Sequence, residues 1–320
     1  MRKTAIVAAA LGLLPLWGAG RARGGASAVG TSGAQFLKIA PGARAAGMGQ
    51  AFAGVAEGVE TIYYNPAGLG DLMRVEVTGM HDSYFQDIDY EFAALAVPML
   101  SWVDTKKDKN AYGVLGAAVY DLSVRNIEQR SLTETDQPLG TFGSTDLAYA
   151  VGYAYALPDT GLSLGATAKV IDQNIDNVSA SAFALDLGGL YQRGGLRLGA
   201  GLRNFGTQSK FTSAADPMPL TIFGGASYRI TDAWLTSIEM DLPRDNGAIV
   251  GLGAEYRKRF ADKLTGAARI GYNSSNSDAG GWAGTSFGLG VGYGNLSFDF
   301  AFVPFGDLGN TFRYSLTAKF

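Results

Sequence analysis

The feature that most constrains this chain is alternation: apolar and polar residues exchange places every second position in about fourteen short segments. The last ten residues show it most plainly. Phe312, Tyr314, Leu316, Ala318 and Phe320 fall on one face, and Arg313, Ser315, Thr317 and Lys319 on the other, because successive strand side chains point to opposite sides. An apolar face suits lipid and a polar face suits a wet lumen, the pattern of a transmembrane barrel strand. A half-buried strand of a soluble sheet alternates too, so the rest of the chain decides. Similar segments lie at 74–81, 89–97, 112–120, 147–157, 162–170, 183–191, 196–202, 220–230, 234–242, 250–256, 264–272, 287–294 and 296–302. The fold class this predicts is all-β, a transmembrane antiparallel β-barrel of about fourteen strands, an even number as closure of a single-chain barrel requires.

Connections support that reading. If the last strand ends in the periplasm, the turns on that side are short, for example Gly294 with Asn295, Thr231 with Asp232, and Arg193 with Gly194. The alternate connections, 123–144, 172–179, 206–217, 243–246, 273–281 and 306–310, are mostly longer and richer in Ser, Asn, Asp and Gly, as expected of outer loops. The stretch 101–110, with Lys106, Lys107 and Lys109, is the exception. By alternation the inward face carries Lys169, Asp186, Arg197, Arg203, Glu239, Asp241, Glu255, Arg269, Asp299 and Arg313. Interleaved signs suit mutual pairing better than an ion-selective ring.

Composition excludes several functions. There is no Cys, hence no disulfide scaffold, thiol nucleophile or cysteine-ligated zinc. A net charge of -3 gives no basic excess for nucleic acid. Arg2 and Lys3 precede an apolar run at 5–17 that is too short to span a bilayer, so it reads as an export signal. The expected organisation is a signal peptide at 1–28, cleaved between 20 and 28, an N-terminal unit at 29–71, and an outer-membrane barrel at 72–320.

The N-terminal unit is not strand-like. Its small residues and three- to four-residue apolar spacing predict short helices, with Asn65 and Pro66 at a turn. Gly42, Ala43, Arg44, Gly47, Met48, Gly49, Ala51 and Phe52, followed by Tyr64, Asn65, Pro66, Ala67 and Gly68, resemble the amino-terminal hatch of the PorV/PorQ branch of the long-chain fatty-acid transporter (FadL) superfamily. Gln50 stands where many members have Gly. The resemblance implies a fourteen-stranded outer-membrane barrel with a hatch in its lumen. It also implies no enzymatic activity, no cofactor and no metal. The implied function is passive transport of small hydrophobic molecules, or a partner or cargo-shuttle role in type IX secretion; a purely structural outer-membrane protein is the third reading. An apolar path would run past Phe36, Met48, Phe52 and Tyr63 beside the bare face of Gly288, Gly290 and Gly292. Phe312, Tyr314, Leu316 and Phe320 resemble the signal read by the barrel-assembly machinery. Partners implied are outer-membrane lipid, that machinery, a hydrophobic ligand and secretion-system proteins.

Other chemistry is missing. His81 is the only histidine, and Asp82 beside it on a strand must face the opposite way, so no Ser-His-Asp relay forms with Ser83. The glycines from Gly42 to Gly54 lack the Gly-Lys-Ser/Thr ending of a phosphate loop. Asp87, Asp89 and Glu91 read as a solvated acidic rim rather than a calcium loop.

Overall fold

The computed structural model describes residues 29–84, 88–99, 112–132 and 136–320. The expected signal peptide lies outside the described residues, as do Asp87 and the connection 101–110. Fourteen strands make a closed antiparallel barrel. They are β1 Glu76–Ser83, β2 Ile88–Pro98, β3 Val114–Gln129, β4 Gly140–Leu157, β5 Leu162–Ile175, β6 Val178–Arg193 and β7 Leu196–Gly206. The second half comprises β8 Thr221–Arg229, β9 Trp234–Pro243, β10 Ile249–Arg259, β11 Leu264–Asn273, β12 Thr285–Tyr293, β13 Leu296–Pro304 and β14 Asn310–Lys319. Each pairs with its neighbours in sequence, and β1 closes on β14 with Glu76 opposite Lys319 and Ser83 opposite Phe312.

The pleat sorts side chains as the alternation predicts, with the usual polarity reversed. Leu289, Val151 and Leu316 are more than half exposed, whereas Lys169, Asp186 and Arg313 are buried. An apolar exterior around charged contents is the arrangement a bilayer favours. Among the described residues no helix is long and apolar enough to cross a membrane.

Strand boundaries bring one correction. β3 to β6 are 16, 18, 14 and 16 residues long, and they absorb most of the stretches 123–144 and 172–179 expected as loops. Past Asp121 both faces of β3 are at least partly exposed, and Arg125, Asn126, Glu128 and Gln129 interrupt any apolar face. Backbone pairing persists there without an apolar face, so the period-two signal vanishes although the strand continues. A bulge between Val124 and Ile127, with Asn126 at φ 58°, breaks the alternation further.

Ahead of the barrel the chain forms short pieces: a 3-10 turn at Gln35–Lys38, α1 Ala43–Ala46, α2 Thr61–Tyr64, and a 3-10 turn at Pro66–Asp71. This segment bonds to strands on opposite sides of the closed wall. The amide of Ala43 donates to Ser315 on β14, that of Phe52 to Glu239 on β9, and the amide group of Asn65 to the Gly189 carbonyl on β6. It therefore packs within the barrel, where its apolar residues and the inward residues of β2 to β6 share one buried core.

Candidate functional site

The site is the contact between this segment and the wall. It begins with glycine. A side chain at Gly253, Gly271 or Gly288 would run into the backbone of 47–49, and one at Gly165 into Pro66; a Cβ at Gly225 would lie 3.1 Å from the Gly54 nitrogen, a contact that a small local shift relieves. These glycines face inward on β5, β8, β10, β11 and β12, and together they let a second backbone lie against the wall. Sequence reading found this on β12 alone, because only there do four glycines alternate without interruption. The same small-residue signal, taken at inward positions on every strand, marks the ring.

Polar anchors fix the segment once it is seated. Asn65 caps the second 3-10 turn by accepting from the Ala67 amide, and its amide group donates to the carbonyls of Ala53 and Gly189 at 3.0 and 3.1 Å. Glu239 accepts from the amides of Phe52 and Ala53 at 2.7 and 2.6 Å. Arg313 donates to the Ala40 carbonyl at 2.7 Å, and the Tyr90 hydroxyl to that of Ile39 at 2.9 Å. Such bonds satisfy backbone groups that have no helix or sheet partner.

The inward charges assigned by alternation are joined into pairs. Lys169 meets Asp186 at 2.6 Å, Arg203 meets Glu239 and Asp241 at 2.6 and 2.7 Å, and Arg313 meets Asp82 at 2.7 Å. The largest group centres on Glu255, which binds Arg44 of α1 at 2.8 Å and Arg269 at 2.6 Å, while Arg269 also reaches Asp299. Glu57, Glu60 and Asp71, on the segment, were not singled out in the sequence. Glu57 holds Arg44 and Arg229 at 2.9 and 2.6 Å, and Asp71 holds Arg197 at 2.6 Å.

Glu57 and Glu60 are three residues apart and behave oppositely. Burial drives the Glu57 carboxyl upward, but Arg44, Arg229 and Arg197 outweigh it and hold it at about 2. Burial raises Glu60 to about 7, with Asp299 adding to the rise and Arg44 and Arg269 opposing it. Among the described residues none donates a hydrogen bond to the Glu60 carboxyl. That carboxyl fills the space a side chain at Gly42 would need, its carbon 2.6 Å from the Cβ position, and Gly42 has φ +91°. Both facts make glycine the residue that fits.

Aromatic rings close the centre. Phe52 and Tyr64 lie 5.2 Å apart, Tyr64 and Tyr63 4.9 Å, and Tyr63 and Tyr120 6.2 Å, with Arg203 5.6 Å above the Tyr63 ring. The Tyr63 and Tyr64 hydroxyls donate to the carbonyls of Leu37 and Pro41. Phe36, Met48, Phe52 and Tyr63 are all buried in the main core. The groups nearest the β12 glycines are Gly47 and Arg269 at Gly288, Asp299 and Arg269 at Gly290, and Thr265 at Gly292. A cavity of about 200 Å³, bounded by Leu37, Tyr63, Tyr64, Asp241 and Ile249, lies at the end of the barrel bearing the 206–221 connection. Another of about 360 Å³, bounded by Glu57, Glu60, Glu76, Arg257, Arg259 and Lys319, lies at the opposite end, beside the Gly294 turn. The terminal residues placed with the assembly signal, Phe312, Tyr314, Leu316 and Phe320, are exposed on the outside. Among the described residues no cluster of three or more His, Asp or Glu is arranged to hold a metal ion.

Residues 21–182 match the sequence profile of an uncharacterised protein family, UPF0164. The chain belongs to that family. No curated protein matches the UPF0164 chain. Among solved structures it is similar to the toluene transporter TbuX of Ralstonia pickettii, at 14% identity and a TM-score of 0.54, covering 82% of this chain and 94% of that one. It is similar to the toluene transporter TodX of Pseudomonas putida, at 12% identity and a TM-score of 0.54, with 82% and 94% covered. A FadL homologue from Pseudomonas aeruginosa matches at 12% identity and a TM-score of 0.51, over 86% and 97%. At these identities the likeness shows a shared fold, a FadL-like barrel. Nothing in it singles out the PorV/PorQ branch.

Proposed function

We propose that this UPF0164 chain is a non-enzymatic outer-membrane barrel that passes small hydrophobic molecules passively, with residues 29–71 as a hatch. One observation carries the reading: two cavities at opposite ends of one barrel, with the fully buried Met48 and Phe52 of the segment bounding neither. A lumen closed by a seated segment rather than by its own wall is a conduit that opens when the segment shifts. The apolar exterior supports residence in a bilayer, and the fold shared with toluene transporters supports the class of cargo. A molecule crossing the aromatic layer gains roughly 0.8 kcal/mol per buried methylene, so permeation should favour longer chains until ordering costs offset the gain.

The test is a lock. Ala53 Cβ lies 3.4 Å from the Cβ position of Gly225, close to the ~3.5–4.5 Å that a disulfide spans. The chain contains no other cysteine to interfere. Ala53→Cys with Gly225→Cys, oxidised in liposomes, should stop entry of alkanes and fatty acids, and a reductant should restore it. Equal flux in both states would mean that the segment does not gate. If large secreted proteins also copurified with the wild type, the type IX secretion-partner reading would then be the better one.

A further inference from the structure

A broad furrow lies on the outside of the barrel. Pairing sets Phe298, Leu316, Gly79, Ala93 and Val119 in one row across β13, β14, β1, β2 and β3, all facing outward. Side chains in that row fall from large to none at Gly79 and rise again, so the wall carries a furrow. A Cβ at Gly79 would touch nothing within 4 Å. Val77 and Leu95 face each other at the next outward position along the strands. The furrow holds about 570 Å³.

Its other end is polar and acidic. Tyr314, His81, Glu91 and Asp121 form the adjoining outward row. His81 Nδ1 and Glu91 are 2.6 Å apart. Asp121 stands directly opposite Glu91, and its Oδ1 has no hydrogen-bond partner among the described residues. Like charges facing each other across strands repel. Ser83, Asp89 and Ser123 follow in the next row, so the apolar exterior of these three strands ends at this level.

We propose that the furrow is a lipid site: one acyl chain lies over Gly79 and Ala93, and an ammonium headgroup sits between Glu91 and Asp121. The acyl chain covers apolar surface that the fold leaves open, and the ammonium supplies a donor to the unpartnered Asp121 Oδ1 and offsets the repulsion between Asp121 and Glu91. An anionic headgroup would meet repulsion at the same place. The assignment rests on the membrane reading above, and the experiment separates the two.

The full chain is reconstituted in vesicles of equal phosphatidylethanolamine and phosphatidylglycerol, floated, extracted in mild detergent and weighed by native mass spectrometry. One phosphatidylethanolamine should remain bound, preferred roughly tenfold over phosphatidylglycerol. Gly79→Phe puts a ring into the furrow with no clash at its Cβ position and should remove the retained lipid while leaving heat-modifiable migration intact. Glu91→Gln with Asp121→Asn should keep a bound lipid but lose the headgroup preference. Equal retention of both lipids by the wild type, or undiminished phosphatidylethanolamine on Gly79→Phe, overturns the site and leaves the membrane reading standing. A chain that fails to float with the vesicles overturns both.

Discussion

The wall and the segment inside it are built by opposite means. The wall is regular and is held by backbone pairing, so its side chains need only be apolar outside and compatible inside. The segment has four short helical pieces and long irregular stretches, so its backbone must be satisfied by particular partners: Asn65, Glu239, Arg313 and Tyr90. Tolerance to substitution should therefore be high on the wall's exterior and low wherever a wall residue answers the segment.

The largest effect expected is at Glu255. Its loss leaves Arg44 and Arg269 without their shared buried partner, and breaking a buried pair costs about 3–5 kcal/mol. Glu255→Ala should thus release α1 to protease while the barrel stays heat-modifiable; a segment as protected as in the wild type would show that the wall holds it without this cluster.

Next comes pH. A carboxyl raised to about 7 in the fold binds more protons than the unfolded chain, whose carboxyl titrates at about 4.5. Stability must therefore fall as pH rises through that window and level off above it, by up to about 3 kcal/mol. Glu57 has the reverse sign: its contribution is present above the unfolded value and is lost as pH falls toward about 2. Melting temperatures at pH 5 and pH 8 should differ more for the wild type than for Glu60→Gln. Identical slopes would remove Glu60 as their source.

Asn65→Ala should follow, costing about 2 kcal/mol for a cap and two buried carbonyl bonds lost together. The counterpart on the outside, Leu289→Ala, should leave the segment's hydrogen exchange unchanged. The smallest effect runs the other way. Gln50 has φ 60°, a conformation glycine adopts freely, so Gln50→Gly should stabilise by up to about 1 kcal/mol in a thermal melt. A loss of stability would mean that the glutamine side chain contributes contacts outweighing its backbone strain.

The same contrast explains what was legible in the sequence. The core of each of the fourteen strands could be placed because lipid enforces one apolar face; the exception is the upper reach of β3 to β6, where neither face is enforced. Alternation also put Lys169, Arg203, Glu239 and Arg269 inside, since a charge on the outer face would meet lipid. Their partners were out of reach, because pairing depends on barrel register and on where the segment lies: Asp82 meets Arg313 across β1 and β14, and Asp71 meets Arg197 from outside the sheet. The glycine ring was visible only at β12. Glu60 carried no signal at all, since nothing in a sequence marks a carboxyl as lacking donors.

That residues 29–71 close the lumen is tested most directly by single-channel conductance in planar bilayers, comparing the wild type with Gly271→Leu. A side chain at position 271 would overlap the backbone of Met48 and Gly49, so the segment cannot seat while the outward face of β11 is unchanged. The wild type should stay closed and the variant should show steady open events of a water-filled pore. Equally low conductance in both, with the variant folded, would contradict the account and assign closure to the wall itself.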